Sequence, residues 1–193
     1  MDTNFVNIRR HGTIVLANSI LCDGNDPGDM DFGKNITCYS HIHSDHLKGL
    51  DERLGVTNSE VYCTPVTKKI ASAIYQGDVS MLHERDNFWG LEFNENISID
   101  APNSGYKKIK LSLKKCHHIL GSAGILVQAD DTSIFYVGDF LKDGTHVEND
   151  VDYLILDATH GQHSENQNFL DPPEARKNLA ALVKKLVDEA EDK

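Results

Sequence analysis

Residues 41–46 read His-Ile-His-Ser-Asp-His, and this stretch decides the fold prediction. Four potential metal ligands lie within six residues, directly after the apolar residues 35–40 (NITCYS), which are typical of a β-strand. A turn at the end of a strand places imidazoles and a carboxylate together at the edge of a sheet. Imidazole combined with carboxylate suits zinc, manganese or iron better than calcium or magnesium. The stretch therefore predicts a metal site, and a histidine-rich surface loop formed by chance is the disfavoured alternative.

A pair of metals needs more ligands than one loop supplies, and two later strands each end in a candidate. His118 follows a predicted strand at residues 109–113 and opens the turn His-Ile-Leu-Gly-Ser-Ala. Asp139 follows a predicted strand at residues 133–137, within Tyr-Val-Gly-Asp-Phe. An aspartate after a glycine is by itself an ordinary turn residue. Together with the candidate ligands in residues 41–46, the Asp139 carboxylate is suited to bridging two cations about 3.5–4 Å apart.

Elsewhere, short β-rich runs alternate with turn signals, and two segments have helical patterns. One helix is predicted after Pro65 and another from Asp171, where an apolar stripe at helical spacing runs towards the end of the chain. The mostly apolar strand at residues 151–157 is expected to be buried on both faces. The remaining strands are predicted at residues 12–22, as one or two strands, and at 35–40, 59–63, 97–100, 109–113, 124–129 and 133–137. This order is typical of an α/β protein.

Composition limits the classes of protein that remain. The 193 residues fit one domain, because domains usually have about 100–200 residues. The net charge of −11 counts against a strongly basic, non-specific nucleic-acid binder. No apolar run approaches the roughly 20 residues of a membrane span, and MDTNFVNIRR does not resemble a signal peptide. We therefore expect a cytoplasmic protein with no membrane partner. Four widely spaced cysteines beside apolar runs are predicted to be buried, free thiols in a reducing compartment: Cys22, Cys38, Cys63 and Cys116.

Together, the motifs resemble the metallo-β-lactamase fold, a four-layer αββα sandwich, over residues 12–161. The segments that carry the resemblance are HIHSDH, HILGSA (118–123), YVGDF (136–140) and VDYLILDATHG (151–161). The chain most resembles the branch of nucleases that contain an inserted β-CASP domain and process RNA or DNA. Residues 19–28 (SILCDGNDPG) resemble the first strand and turn of that branch. The resemblance implies a metal-dependent phosphodiesterase, with RNA favoured over DNA as the substrate.

Carried over to this sequence, the resemblance implies two divalent cations, with zinc favoured and manganese as the alternative. A hydroxide between them would attack phosphorus, Asp45 and Asp139 would take part in catalysis, and Asp23 would orient the site from behind the ligands. Gly121 and Ser122 would offer donors to the substrate, although a plain turn explains them equally well. The implied ligands are His41, His43 and His118 for one cation, Asp45 and His46 for the other, and Asp139 as the bridge.

Two departures from the nucleases concern the second cation. The nucleases take its last histidine from sequence beyond the β-CASP insertion, whereas this sequence stops at Lys193, so it resembles the first half of such an enzyme. We expect residues 1–193 to form a single domain that works alone or as a homodimer. The alternative is that they are the N-terminal part of a longer enzyme whose C-terminal region is missing from this sequence. His160 stands where the nucleases often have tyrosine. It would complete the second cation site, or would face the substrate or support the ligands.

A local basic stripe precedes the His118 turn. On a strand, Lys108, Lys110 and Lys114 share one face. They would contact a phosphate backbone, with Lys114 as the substrate contact, or would guard a solvated edge strand, which is the commoner arrangement. Phe88 and Trp89 would stack on a base or, as the favoured interpretation, lie in the core.

Three functions remain open, because a fold does not fix a function. The leading one is a phosphodiesterase that acts on RNA or DNA. The second is a hydrolase of a thioester or lactone. The third is a non-catalytic metal-binding half that needs a partner.

Overall fold

The structure is a computed structural model. It describes residues 5–9, 13–24, 36–56, 58–74, 85–100, 104–106, 108–141 and 145–156, together with the isolated helical positions Lys177, Ala181 and Lys184. By its internal contacts the chain divides into two compact units, Met1–Asp157 and Ala158–Lys193. All described strands belong to the first unit. The single domain expected over residues 1–193 stays a prediction.

The first sheet has six strands in the order β1-β2-β3-β4-β5-β6. Strands β1, β2 and β3 are antiparallel, whereas β3, β4, β5 and β6 run parallel. The carboxyl ends of these four parallel strands therefore meet at one edge of the sheet, which is where Asp23 and residues 39–46 follow. The strands are β1 (Val6–Ile8), β2 (Ile14–Leu16), β3 (Ile20–Cys22), β4 (Ile36–Cys38), β5 (Glu60–Cys63) and β6 (Phe88–Gly90).

The second sheet has five strands in the order β11-β10-β9-β8-β7. Its pairs are antiparallel except for β10 and β11, so β8 and β10 run in the same direction. Their carboxyl ends lie at the same edge, which brings the turn with His118 and the loop with Asp139 together. The strands are β7 (Asn96–Ile99), β8 (Ile109–Lys115), β9 (Ala123–Ala129), β10 (Thr132–Tyr136) and β11 (Tyr153–Ile155).

The core lies between the two sheets. Alternation along the strands directs one set of apolar side chains to this interface. Two helices, α1 (Leu50–Gly55) and α2 (Pro65–Ile74), pack on the outer face of the first sheet through a second apolar cluster. The main cluster includes Leu16, Ile20 and Cys38 from the first sheet and Leu111, Leu113, Val127 and Ile134 from the second.

Most predicted strands are confirmed, and residues 12–22 form two of them, β2 and β3. Strands β1 and β6 were not predicted. All four cysteines are free and buried, as expected. Of the predicted C-terminal helix, Lys177, Ala181 and Lys184 are helical, and its other positions lie outside the described residues. Among the described helices, none has the length and apolarity that a membrane crossing requires.

Two expectations about burial and one about the place of a strand in its sheet are wrong. The strand β11 is not buried on both faces, because it lies at the edge of its sheet and leaves Leu154 53% exposed. Lys110 does not guard an edge strand, because β8 lies between β7 and β9. Trp89 is not in the core: the alternation of β6 buries Phe88 at 1% exposure and leaves Trp89 at 48%.

Candidate metal centre

Four of the predicted ligands converge where the edges of the two sheets meet. His41 and His43 come from the loop after β4, His118 from the turn after β8, and Asp139 from the loop after β10. One ligand atom from each lies within 4.8 Å of the others. Strand β4 ends at the edge of the first sheet and strands β8 and β10 end at the edge of the second, and the loops after these three ends bring the four side chains together.

The spacing of these atoms fits a shared cation. His43 Nδ1 lies 3.0 Å from His41 Nε2 and 3.2 Å from His118 Nε2. Asp139 Oδ2 lies 3.6 Å from His41 Nε2 and 3.5 Å from His118 Nε2. Ligand atoms about 2.0–2.1 Å from a tetrahedral zinc ion are separated from one another by about 3.3 Å. Three imidazole nitrogens and one carboxylate oxygen therefore have both the chemistry and the spacing of a divalent-metal site.

A second set of donors adjoins the first. His46 Nε2 lies 3.3 Å from Asp139 Oδ1 and 3.6 Å from Asp45 Oδ2. The two oxygens of Asp139 thus face different groups, with Oδ2 towards His41 and Oδ1 towards His46. The Asp139 carboxylate therefore lies between the two sets of donors. His160, the remaining predicted ligand, lies outside the described residues, and its role stays a prediction.

The pKa values of the buried His41 and the partly buried His46 are shifted in opposite directions. Burial, with the neighbouring imidazole of His46, lowers the pKa of His41 to about 3 and keeps it neutral. Burial also acts to lower the pKa of His46, but the hydrogen bond and charge of Asp23, with further carboxylates, raise it overall. A neutral imidazole offers a free lone pair to a metal. His41 is thus in the protonation state that a ligand requires, and carboxylates surround His46.

The Asp23 carboxylate lies directly behind this group, at the end of β3. It is 4% exposed and accepts four hydrogen bonds. Oδ1 accepts from the Ser40 backbone N at 2.7 Å. Oδ2 accepts from Ser40 Oγ at 2.6 Å, from Tyr136 Oη at 2.8 Å and from His46 Nδ1 at 2.9 Å. The family resemblance implies Asp23 in this supporting position but does not indicate its partners Ser40 and Tyr136. The only sequence signal for Tyr136 is its place at the end of β10, three residues before Asp139.

The turn at residues 118–123 is stabilised by hydrogen bonds within the turn and by hydrogen bonds from two threonines at the start of α2. The Gly121 carbonyl accepts hydrogen bonds from Thr64 Oγ1 at 2.7 Å and Thr67 Oγ1 at 3.0 Å, neither of which was predicted. Ser122 N donates to the Ile119 carbonyl at 3.1 Å, and Ser122 Oγ accepts from Ile119 N at 3.1 Å. The backbone N and the hydroxyl oxygen of Ser122 both bond to Ile119 within the turn, which fits the plain-turn alternative. Substrate contact by Gly121 and Ser122 stays a prediction.

The predicted substrate lysine has partners within the protein. Lys114 Nζ lies 3.6 Å from Glu148 Oε2 and 3.3 Å from Asn94 Oδ1. A pairing with Glu148 offsets much of the positive charge that Lys114 would present to a phosphate. Its role as a substrate contact stays a prediction.

The chain resembles proteins that include named ribonucleases, although no family model matches it. It is 26% identical over 144 residues to RNase aCSPSF2 of Saccharolobus solfataricus, covering 64% of this chain and 28% of that protein. It is 29% identical over 146 residues to Protein artemis of Gallus gallus, covering 62% and 19%. It is 26% identical over 167 residues to an RNase J-like protein of Methanocaldococcus jannaschii, covering 81% and 37%. The match thus spans between 19% and 37% of the length of these curated relatives.

Solved structures show the fold. A HARLDQ-motif mutant of a metallo-β-lactamase from Cronobacter sakazakii superposes with a TM-score of 0.52 at 14% identity, covering 94% of this chain and 92% of that one. A second structure of a metallo-β-lactamase with this motif from the same organism gives 0.50 at 12% identity, covering 75% and 64%. The chain therefore has the metallo-β-lactamase fold, and its His/Asp group is suited to a divalent metal ion. Within that fold it resembles the nucleases of the β-CASP branch, as its motifs predict.

Proposed function

We propose that this chain is a metal-dependent phosphodiesterase that cleaves RNA, with DNA as the alternative nucleic acid. The observation that carries the proposal is the position of Asp139, whose two oxygens face His41 and His118 on one side and His46 on the other. A site for two cations is suited to phosphate esters, because it stabilises both the attacking and the leaving oxygen. The relatives named as ribonucleases support the same substrate class.

Two divalent cations, zinc in preference to manganese, would supply Lewis acidity and an activated water in this site. His41, His43 and His118 would hold one cation, Asp45 and His46 the other, and Asp139 both. The chain itself fixes the donors: the loops after three strand ends set their positions, and Asp23 holds His46 by a hydrogen bond to Nδ1, so that Nε2 faces the centre. Asp45 has a side chain that is 73% exposed and would accept a hydrogen bond from the attacking water.

The charge of the chain implies where the phosphate would bind. With a net charge of −11, the chain has no excess of cations with which to bind a long phosphate backbone. Lys114, the nearest predicted contact, is paired with Glu148. We therefore place phosphate recognition at the metal centre itself.

The four free, buried cysteines support a reducing compartment such as the cytoplasm.

The test is cleavage of a labelled RNA by the chain reconstituted with Zn²⁺ or Mn²⁺. Asp139→Asn should lower the rate at least about 100-fold, because it weakens the ligand shared by both cations. Asp152→Asn is the matched control, because Asp152 is an exposed carboxylate that accepts hydrogen bonds from Ser133 near the start of β10, the opposite end from Asp139.

Three results would overturn the proposal. One is cleavage of RNA by Asp139→Asn at the wild-type rate. Another is turnover of thioesters or lactones without cleavage of RNA or DNA. The third is metal binding by this chain without turnover, with cleavage appearing only when the chain is extended. That result would identify the chain as a non-catalytic half.

A further inference from the structure

We propose that Ser40 is a positioning residue through which the Asp23 carboxylate fixes the ring of His41, while the same carboxylate fixes His46 directly. One buried carboxylate would then orient one ligand of each cation by two separable contacts. The inference rests on the proposed function of the His/Asp group as a metal centre.

The direction of the hydrogen bonds follows from the chemistry of the three groups. Ser40 Oγ lies 2.6 Å from Asp23 Oδ2 and 2.9 Å from His41 Nδ1. A carboxylate only accepts hydrogen bonds, so the single hydroxyl proton of Ser40 is donated to Asp23. His41 Nδ1 must then donate to Ser40 Oγ, because two lone pairs at 2.9 Å would repel each other. A neutral imidazole carries one N–H, so His41 Nε2 keeps its lone pair. That nitrogen faces His43 and Asp139.

The position of Ser40 is fixed by both sheets. Its backbone N donates to Asp23 Oδ1 at 2.7 Å, and its carbonyl accepts from Ala123 N of β9 at 2.9 Å. Gly138, with φ of +68°, packs against it so closely that an added Cβ would lie 3.0 Å from Ser40 Cβ. Ser40 is 1% exposed. The hydroxyl therefore has little freedom to leave its place between Asp23 and His41.

The contacts from Asp23 to the two imidazoles differ in a way that experiments can separate. His46 Nδ1 reaches Asp23 Oδ2 directly at 2.9 Å, whereas His41 reaches it only through Ser40. Loss of the Ser40 hydroxyl should therefore release His41 and leave His46 held. Residues that orient a metal-ligating histidine typically contribute about 10–100-fold to metal affinity. We expect a loss of that size for the cation bound by His41, His43 and His118.

The first test measures metal binding by the whole chain, stripped with a chelator and titrated with Co²⁺ or Zn²⁺ against a chromophoric competitor. Ser40→Ala should weaken one of two binding steps about 10–100-fold and change the visible absorption of bound Co²⁺. Ser40→Thr, which keeps the hydroxyl, should restore both. The matched control is Ser59→Ala, because Ser59 is also 1% exposed and its hydroxyl has no hydrogen-bond partner among the described residues.

The outcomes separate this inference from the proposed function. Wild-type affinities at both steps in Ser40→Ala would overturn the role of Ser40 and leave the metal centre intact. Equal weakening of both steps, with no rescue by Ser40→Thr, would show a merely structural role. A wild-type chain that binds no metal would refute the proposed function instead.

The second test needs no variant and therefore does not depend on whether Ser40→Ala folds. Long-range ¹H–¹⁵N correlation spectra of the metal-free wild-type chain report which ring nitrogen of each histidine carries hydrogen. His41 should show a protonated Nδ1 and an unprotonated Nε2. A His41 ring protonated at Nε2 would overturn the inference.

Discussion

The packing of α2 against the His118 turn can be tested by adding a single methyl group at Gly121. Its φ of +90° lies in the region that disfavours side chains, and an added Cβ would lie 2.7 Å from Thr67 Oγ1 and 3.0 Å from Thr67 N. The backbone nitrogen cannot rotate away, and the Thr67 hydroxyl is held by its bond to the Gly121 carbonyl. Gly121→Ala should therefore destabilise the fold through both backbone strain and steric overlap.

Gly105 supplies a control that separates these two contributions. Its φ of +89° is nearly the same, but its added Cβ would have no atom within 4 Å among the described residues. Backbone strain alone should cost Gly105→Ala about 1–2 kcal/mol. Overpacking adds about 1–3 kcal/mol, so Gly121→Ala should lose about 2–5 kcal/mol in total.

The assay is urea denaturation of the metal-free chain, with the free energy of unfolding obtained by linear extrapolation. Because the turn carries His118, Gly121→Ala should also bind Zn²⁺ more weakly than wild type, whereas Gly105→Ala should not. Equal losses of stability in the two variants would refute the close packing of α2 on the turn. Unchanged Zn²⁺ affinity in Gly121→Ala would refute the link from that packing to the position of His118.

Two further predictions concern burial. Phe88→Ala should lower the free energy of unfolding by about 3–5 kcal/mol, because Phe88 is 1% exposed, whereas the neighbouring Trp89→Ala should lower it by only about 1–2 kcal/mol, because Trp89 is 48% exposed. Urea denaturation measures both, and equal effects would contradict the orientation of β6. Burial raises the pKa of all four cysteine thiols. At pH 8 a disulfide dye should therefore label none of them in the folded chain and all four in denaturant. Rapid labelling of the folded chain would show that a thiol is accessible.

The residues that converge on the metal centre were predictable because their signals are local. His41 and His43 lie in one short motif, where residue type and spacing are sufficient. His118 and Asp139 each follow a strand, and the parallel directions of β8 and β10 bring both strand ends to one edge. The sequence therefore marks the candidates by their places at strand ends and the family resemblance implies that they form one set, but neither gives the strand directions or the distances between the side chains.

The supporting contacts were not predictable, because they depend on how the two sheets pack. Tyr136 donates to Asp23 across 113 positions of sequence, and no local pattern indicates that pairing. The error at Trp89 has a related cause. Residues 88–90 are too few for the sequence to show which side chain faces the core, and the structure places Phe88 on the buried face and Trp89 on the opposite face of an edge strand.

The number of metal ions bound per folded chain tests the central claim most directly. The purified chain, reconstituted with Zn²⁺ or Mn²⁺ and freed of excess metal, should contain two ions by elemental analysis, and Asp139→Asn should contain fewer. One ion per wild-type chain would contradict the second cation site, and none would contradict the metal centre as a whole. A full complement of two ions in Asp139→Asn would contradict the bridging role of Asp139.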